Sequence, residues 1–216
     1  AQAVHQTQKL AQTLETFISR AEQVVDQTVR RVLQQEKVPA SEKIVSVFEA
    51  HTNIIRRNKA HKPTEYGHKI WLDEVDGGLV TRWDVLSGNP NDDRQWLPTL
   101  DHHIERFGKA PWQASADRGV HSSYNEYQAR ERGVQRVVLP KPGRRSEARL
   151  KHERQAWFKR ARKWHNGVEG RISVLKRCHE LNRCRDHNQD GFEKWVGWGV
   201  IAANLRTIGR KVAART

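Results

Sequence analysis

The stretch His68 to Leu86, HKIWLDEVDGGLVTRWDVL, holds two runs rich in β-branched and aromatic residues around Asp76-Gly77-Gly78. Such runs either side of an Asp-Gly-Gly punctuation predict two strands, His68–Val75 and Leu79–Leu86, joined as a hairpin. Upstream, Lys43 to Phe48 (KIVSVF) reads as a short buried strand that ends at Glu49, and Arg56 to Gly67 (RRNKAHKPTEYG) as a basic loop. Earlier still, Leu10, Leu14, Phe17, Ala21, Val25, Thr28 or Val29, and Val32 recur at spacings of three and four, which predicts a helix over residues 1–36 closed by Val38-Pro39.

Downstream of the hairpin, Ser87-Gly88-Asn89-Pro90 is a turn and Asp92 to Phe107 a helix. Trp112 to Ala116 is a strand that lands on Asp117-Arg118-Gly119. Ser122 to Arg132 is helical, Val134 to Leu139 is a strand closed by Pro140, and helices follow around 147–164, 168–181 and 190–209. Three strands and then alternating helix and strand (βββαβαβα) predict an α/β fold: one mixed sheet flanked by helices, with an N-terminal helical segment. The expected division is a helical segment over 1–42 and a single domain over 43–216.

The chain has 216 residues and a formal net charge of +14. Lys141 to Arg185 carries 15 Lys or Arg against 4 Asp or Glu, so most of the excess charge sits in one block. That asymmetry points to an anionic partner, with nucleic acid first. Cys178 and Cys184 give no disulfide framework, and Cys178-His179 with Cys184 and His187 lacks the spacing of a closed zinc site. No run reaches membrane-spanning length, so a soluble intracellular protein is expected. There is no methionine, even at position 1, and the expectation is that an N-terminal portion precedes this chain.

Three acids stand in places where chemistry gathers. Glu49 and Asp117 are expected at strand ends, where open sheets bind ligands. Glu169 lies in RKWHNGVEGRISVLKRCHELNRCR, Arg162 to Arg185. On a helix, His165, Glu169 and Lys176 fall within about 40° of one another. Two or three convergent carboxylates suffice for Mg²⁺, which keeps several waters, and two-ion sites cut phosphodiesters. Asp26 and Asp73 are weaker rivals for the first position. Arg56, Arg57, Lys59 and Lys62 are placed to hold phosphates beside Glu49. Trp157 and Trp164 share one helix face, as core or as base-stacking platforms.

From Val45 onward, the stretches VSVFEAHTNIIRRNKAHKPTEYGHKIWL, GGLVTRWDVLSGNPND, ADRGVHSSYNE, GVQRVVLPKPG, HNGVEGRISVLKRCHELNRCR and GWGVIAANL resemble bacterial insertion-sequence transposases of the DDE type, closest to the ISNCY group. The resemblance covers about four-fifths of the chain. It implies an RNase H-like core and an acidic triad, Glu49, Asp117 and Glu169, that holds two Mg²⁺ or Mn²⁺ ions. It further implies cleavage at the inverted-repeat ends of double-stranded DNA, 3′-hydroxyl transfer into target DNA, a homodimer in the active complex, and a place in the bacterial cytoplasm with the nucleoid. Lys176 matches the lysine of the family's tyrosine–arginine–glutamate–lysine signature. DNA contacts are expected from His165, Arg171, Lys176, Arg177 and Arg118, with Arg56, Lys59 and Lys62.

The sequence also departs from the pattern. His165 and Arg162 stand for the signature's arginine and tyrosine, Asn58 for a glycine, and Val120 for an aromatic. Arg clasps phosphate at any pH, whereas His is largely neutral near pH 7. The alternative expectation is a truncated remnant that binds DNA without chemistry.

Overall fold

The computed structural model describes residues 2–56 and 63–215. The chain forms two compact units. One takes the chain up to Lys69 together with Leu86–Asn89 and His187–Gly191; the other takes Ile70–Val85, Pro90–Asp186 and Phe192–Thr216.

In the first unit the apolar spacing gives helix α1, Gln2–Thr28, which runs into one π-helical turn over Val29–Leu33. No residue of α1 is buried. Residues 43–48, expected as a strand, form none. They run as a strap along α1 that bends at Val45, Val47 and Phe48, and side chains of the helix take up several of its backbone groups. The Gln27 amide donates to the Ile44 carbonyl at 2.9 Å and accepts from the Ile44 N–H at 2.9 Å. Arg20 donates to the Val47 carbonyl at 2.8 Å, and Gln23 to that of Glu42 at 3.0 Å. Backbone groups satisfied in this way do not need a neighbouring strand. Phe48 meets Phe17 edge to face, and Val38 is buried. Strands β1 (Asn53–Arg56) and β2 (Thr64–Gly67) pair antiparallel, with Asn53 opposite Gly67 and Arg56 opposite Thr64. The basic loop expected over Arg56 to Gly67 thus contains β2 and the last residue of β1.

The expected hairpin is present as β3 (Lys69–Val75) and β4 (Leu79–Leu86). Its three-residue connection holds Gly77 and Gly78 at φ of 91° and 80°, where a side chain would be strained. Helix α2 (Trp96–Phe107), strand β5 (Gln113–Ser115), helix α3 (Ser123–Glu131) and strand β6 (Arg136–Val138) follow in the expected alternation. β5 and β6 are parallel, with Gln113, Ala114 and Ser115 opposite Arg136, Val137 and Val138. Successive residues of β6 face opposite ways. Val137 joins the core of Trp96, Leu100, Ala116, Val120, Ala129, Val134 and Leu139, while Val138 packs with Phe158 and Ala161.

Helix α4 spans Glu147–Glu153, α5 Ala156–Cys178 and α6 Asn188–Ala213. The expected break at residues 165–167 does not occur. Gly167 sits mid-helix with only the Arg171 guanidinium at contact distance, and its propensity cost of about 1 kcal/mol is spread over a 23-residue helix. On α6 the Asn204 amide accepts from the Val80 N–H at 2.9 Å and donates to its carbonyl at 2.8 Å, and so caps β4.

The single mixed sheet is therefore corrected. Among the described residues the strands form three two-stranded sheets, and on β4 the Val80 backbone groups bond the Asn204 amide of α6. The coarse class holds: the protein is mixed α and β, with an N-terminal helix. Among the described residues, no helix is long and apolar enough to cross a membrane.

Candidate functional site

Asp117 follows β5 at the carboxyl end of the parallel β5–β6 pair, the position at which α/β folds gather ligands. It opens a 3₁₀ turn, Arg118–Val120, whose Val120 N–H returns to the Asp117 carbonyl at 3.1 Å. Buried Val120 anchors this turn in the core, which leaves the Asp117 side chain 74% exposed. Helix α5 presents His165 to it: Nε2 lies 3.2 Å from Asp117 Oδ1, and His165 is 21% exposed. That hydrogen bond holds the Asp117 carboxyl below its ordinary value, against the effect of burial. The cleft here measures about 420 Å³ and is lined by Asp92, Ser115, Asp117, Arg118, Arg162, His165 and Asn166, among others. The sequence reading passed over Asp92, a second carboxylate that enters the cleft from the turn before α2.

Glu169 lies one turn beyond His165 on the same helix and is exposed. Because α5 is continuous to Cys178, Lys176 shares that face and is also exposed. Arg171 is committed elsewhere. It forms an ion pair with Glu74, which is buried, and its guanidinium lies 5.8 Å from the Trp164 ring centroid. Arg177 donates to the Ser173 carbonyl of its own helix at 3.4 Å; Arg56 and Arg118 are exposed. Lys59 and Lys62, like Arg57 and Asn58, lie outside the described residues. Trp157 is half-buried against Phe158, with the Arg136 guanidinium between it and Trp112.

Part of the basic block faces inward. Glu153, 6% exposed, accepts from the Lys141 N–H at 2.9 Å, Arg145 at 2.9 Å and Arg149 at 2.7 Å. Burial raises its carboxyl, but these donors prevail and hold it at about 2. Arg149 also pairs with Glu126 at 2.6 Å.

Glu49 belongs to the other unit and is not a strand-terminal residue. Its Oε1 meets His187 Nδ1 at 2.7 Å; its Oε2 meets His51 Nε2 at 2.8 Å and accepts from the Asn188 N–H at 3.1 Å. His187, then His51, hold its carboxyl down at about 2. His51 Nδ1 lies 2.7 Å from His68 Nε2, with the rings stacked, and Asn53 Nδ2 lies 3.1 Å from His68 Nδ1. One tautomer set satisfies this row. Asn53 donates to His68, His68 to His51, and His51 to Glu49. The sequence reading did not single out His51 or His68; the Asn53–Gly67 register is what brings them to one end of β1–β2.

Of the rivals, Asp26 is exposed on α1, 3.6 Å from Arg30. Asp73 is half-buried, accepts from Trp71 Nε1 at 2.7 Å and Thr99 Oγ1 at 3.0 Å, and its carboxyl is raised by desolvation. Among the described residues, no group of three or more His, Cys, Asp or Glu is arranged to hold a metal ion. The carboxylates Asp117 and Asp92 do line one cleft and are hard oxygen donors, which suits a divalent cation that completes its shell with water and phosphate. No protein-family model, curated protein or solved structure matches the chain.

Proposed function

We propose that the chain acts on double-stranded DNA as the catalytic portion of a DDE-type transposase, cleaving phosphodiesters at inverted-repeat ends and joining the freed 3′-hydroxyl to target DNA. The observation that carries this reading is the placement of Asp117 at the carboxyl end of a parallel strand pair, facing a helix that bears His165, Arg162 and Glu169. An RNase H-like arrangement is part of the proposal, supported by the β5–α3–β6 unit and the preceding hairpin.

Asp117, with Asp92 in its cleft and Glu169 a turn beyond His165, supplies the oxygen donors for Mg²⁺ or Mn²⁺. When bound, such an ion stabilises the charge that develops on the phosphate and acidifies water. His165 orients the Asp117 carboxylate through Nε2. Arg162 and Arg118 at the cleft grip a phosphate, and Lys176 extends that grip along α5. Glu49 is left out of these roles, because both of its carboxylate oxygens already accept hydrogen bonds within its own unit.

The test is nicking of DNA that carries the inverted repeats flanking the native locus, with and without Mg²⁺ or Mn²⁺. Metal-dependent nicking that Asp117→Ala abolishes is the expected result; undiminished nicking by that variant would sink the assignment. The engagement of both Glu49 oxygens within its own unit favours a second reading, DNA binding without chemistry. It would appear as steeply salt-dependent binding with no nicking under any divalent ion.

A further inference from the structure

Helix α1 has one face committed and one face open. Arg20, Gln23 and Gln27 hold the strap, and Phe17 packs on Phe48. On the adjoining face, Val4, Thr7, Ala11, Leu14, Ile18, Ala21, Val25 and Thr28 follow one another at spacings of three and four without a break, and all eight are exposed. A strict alternation of three and four has a period of 3.5, the signature of a supercoiled helix seam rather than of a helix on a globular core. The two threonines fit the seam because each hydroxyl is satisfied by its own helix: Thr7 donates to the Ala3 carbonyl at 3.0 Å, and Thr28 to that of Val24 at 2.6 Å. Their methyl groups are left to pack.

We infer that this face is a self-association surface, and that α1 pairs in parallel with α1 of a second copy of this chain. Taking Val4, Ala11, Ile18 and Val25 as the a sites, three of four are β-branched, which favours two parallel strands. The flanking charges agree. In a parallel pair the e site Glu15 meets the exposed apolar g site Leu10, whereas an antiparallel pair sets acidic e sites against each other. Length is sufficient as well, because the seam runs the whole of a 27-residue helix, close to four heptads. A second exposed apolar row, Trp198, Ile201, Leu205, Ile208 and Val212 on α6, spans only two heptads. The inference does not depend on the chemistry at Asp117.

Sedimentation equilibrium of the full chain tests it, with circular dichroism to confirm folding. The expected result is a dimer that Ile18→Lys weakens by more than about 100-fold, since the change buries a charge in the seam. Gln12→Lys, on the outer face, should leave it intact. With Cys178 and Cys184 replaced by serine, Leu14→Cys should form a disulfide between copies, as an in-register parallel pair requires. A monomer at high concentration, a dimer indifferent to Ile18→Lys, or one lost instead on Leu205→Lys would overturn the inference. So would crosslinking between Val4→Cys and Val25→Cys in place of the Leu14→Cys disulfide.

Discussion

Glu49 and Asp117 each sit beside an imidazole, yet their surroundings differ. Glu49, 28% exposed, is met by His187, His51 and the Asn188 N–H, and both of its oxygens are used. Asp117 meets His165 at 3.2 Å and leaves 74% of its side chain to solvent in a cleft shared with Arg118 and Arg162. A carboxylate with donors on both oxygens is tied into the framework, while one held at a single oxygen has more capacity left for a ligand. Acid-to-histidine proximity alone does not separate the two; the number of donors around each carboxylate does.

The largest test of this contrast is activity. Asp117→Ala should lower metal-dependent nicking on the order of a thousandfold and change stability by less than about 0.5 kcal/mol, measured by nicking and by urea unfolding. Glu49→Ala should do the reverse. It strips the acceptor from two histidines and a backbone amide, and it should cost about 1–2 kcal/mol of unfolding free energy while DNA binding is retained. If Glu49→Ala abolished nicking with stability intact, the contrast would be wrong.

Acid titration sharpens the same point. Glu49 is held at about 2, below its ordinary 4.5. Its contribution is complete above about pH 4.5 and is lost as the pH falls toward 2, by on the order of 1 kcal/mol once solvent screening is allowed for. Glu49→Gln should flatten that part of the stability profile. The smallest effect is on salt dependence. Lys176→Gln should lower the slope of log K against log salt by about 1, whereas Arg171→Gln should leave the slope nearly unchanged, because Arg171 already pairs with Glu74.

Much of the second unit was legible in the sequence. The Asp76-Gly77-Gly78 punctuation marks a hairpin because its backbone needs positive φ, and Trp112–Ala116 points to Asp117 because a short apolar run ends in a polar turn. Residues 43–48 were misread for a physical reason. A β-branched run announces an extended backbone but not what bonds to it, and here the partner is Gln27, 17 residues earlier. The histidine row was hidden similarly. His68 and His187 are far from Glu49 in the chain, and only the β1–β2 register, which sets His68 on His51, and the turn before α6, which sets His187 on Glu49, complete the row. The break expected near Gly167 shows that a glycine is weak evidence of a helix end when its φ is not positive.

The paired amides of Gln27 and Asn204 have a consequence for exchange with solvent. Each holds the N–H of one extended residue, Ile44 or Val80, through a side chain rather than a neighbouring strand. Such a proton exchanges when a helix lifts away, without any sheet coming apart. The Ile44 and Val80 amides are therefore two single-site clocks, one in each unit, that time the undocking of α1 from its strap and of α6 from β4.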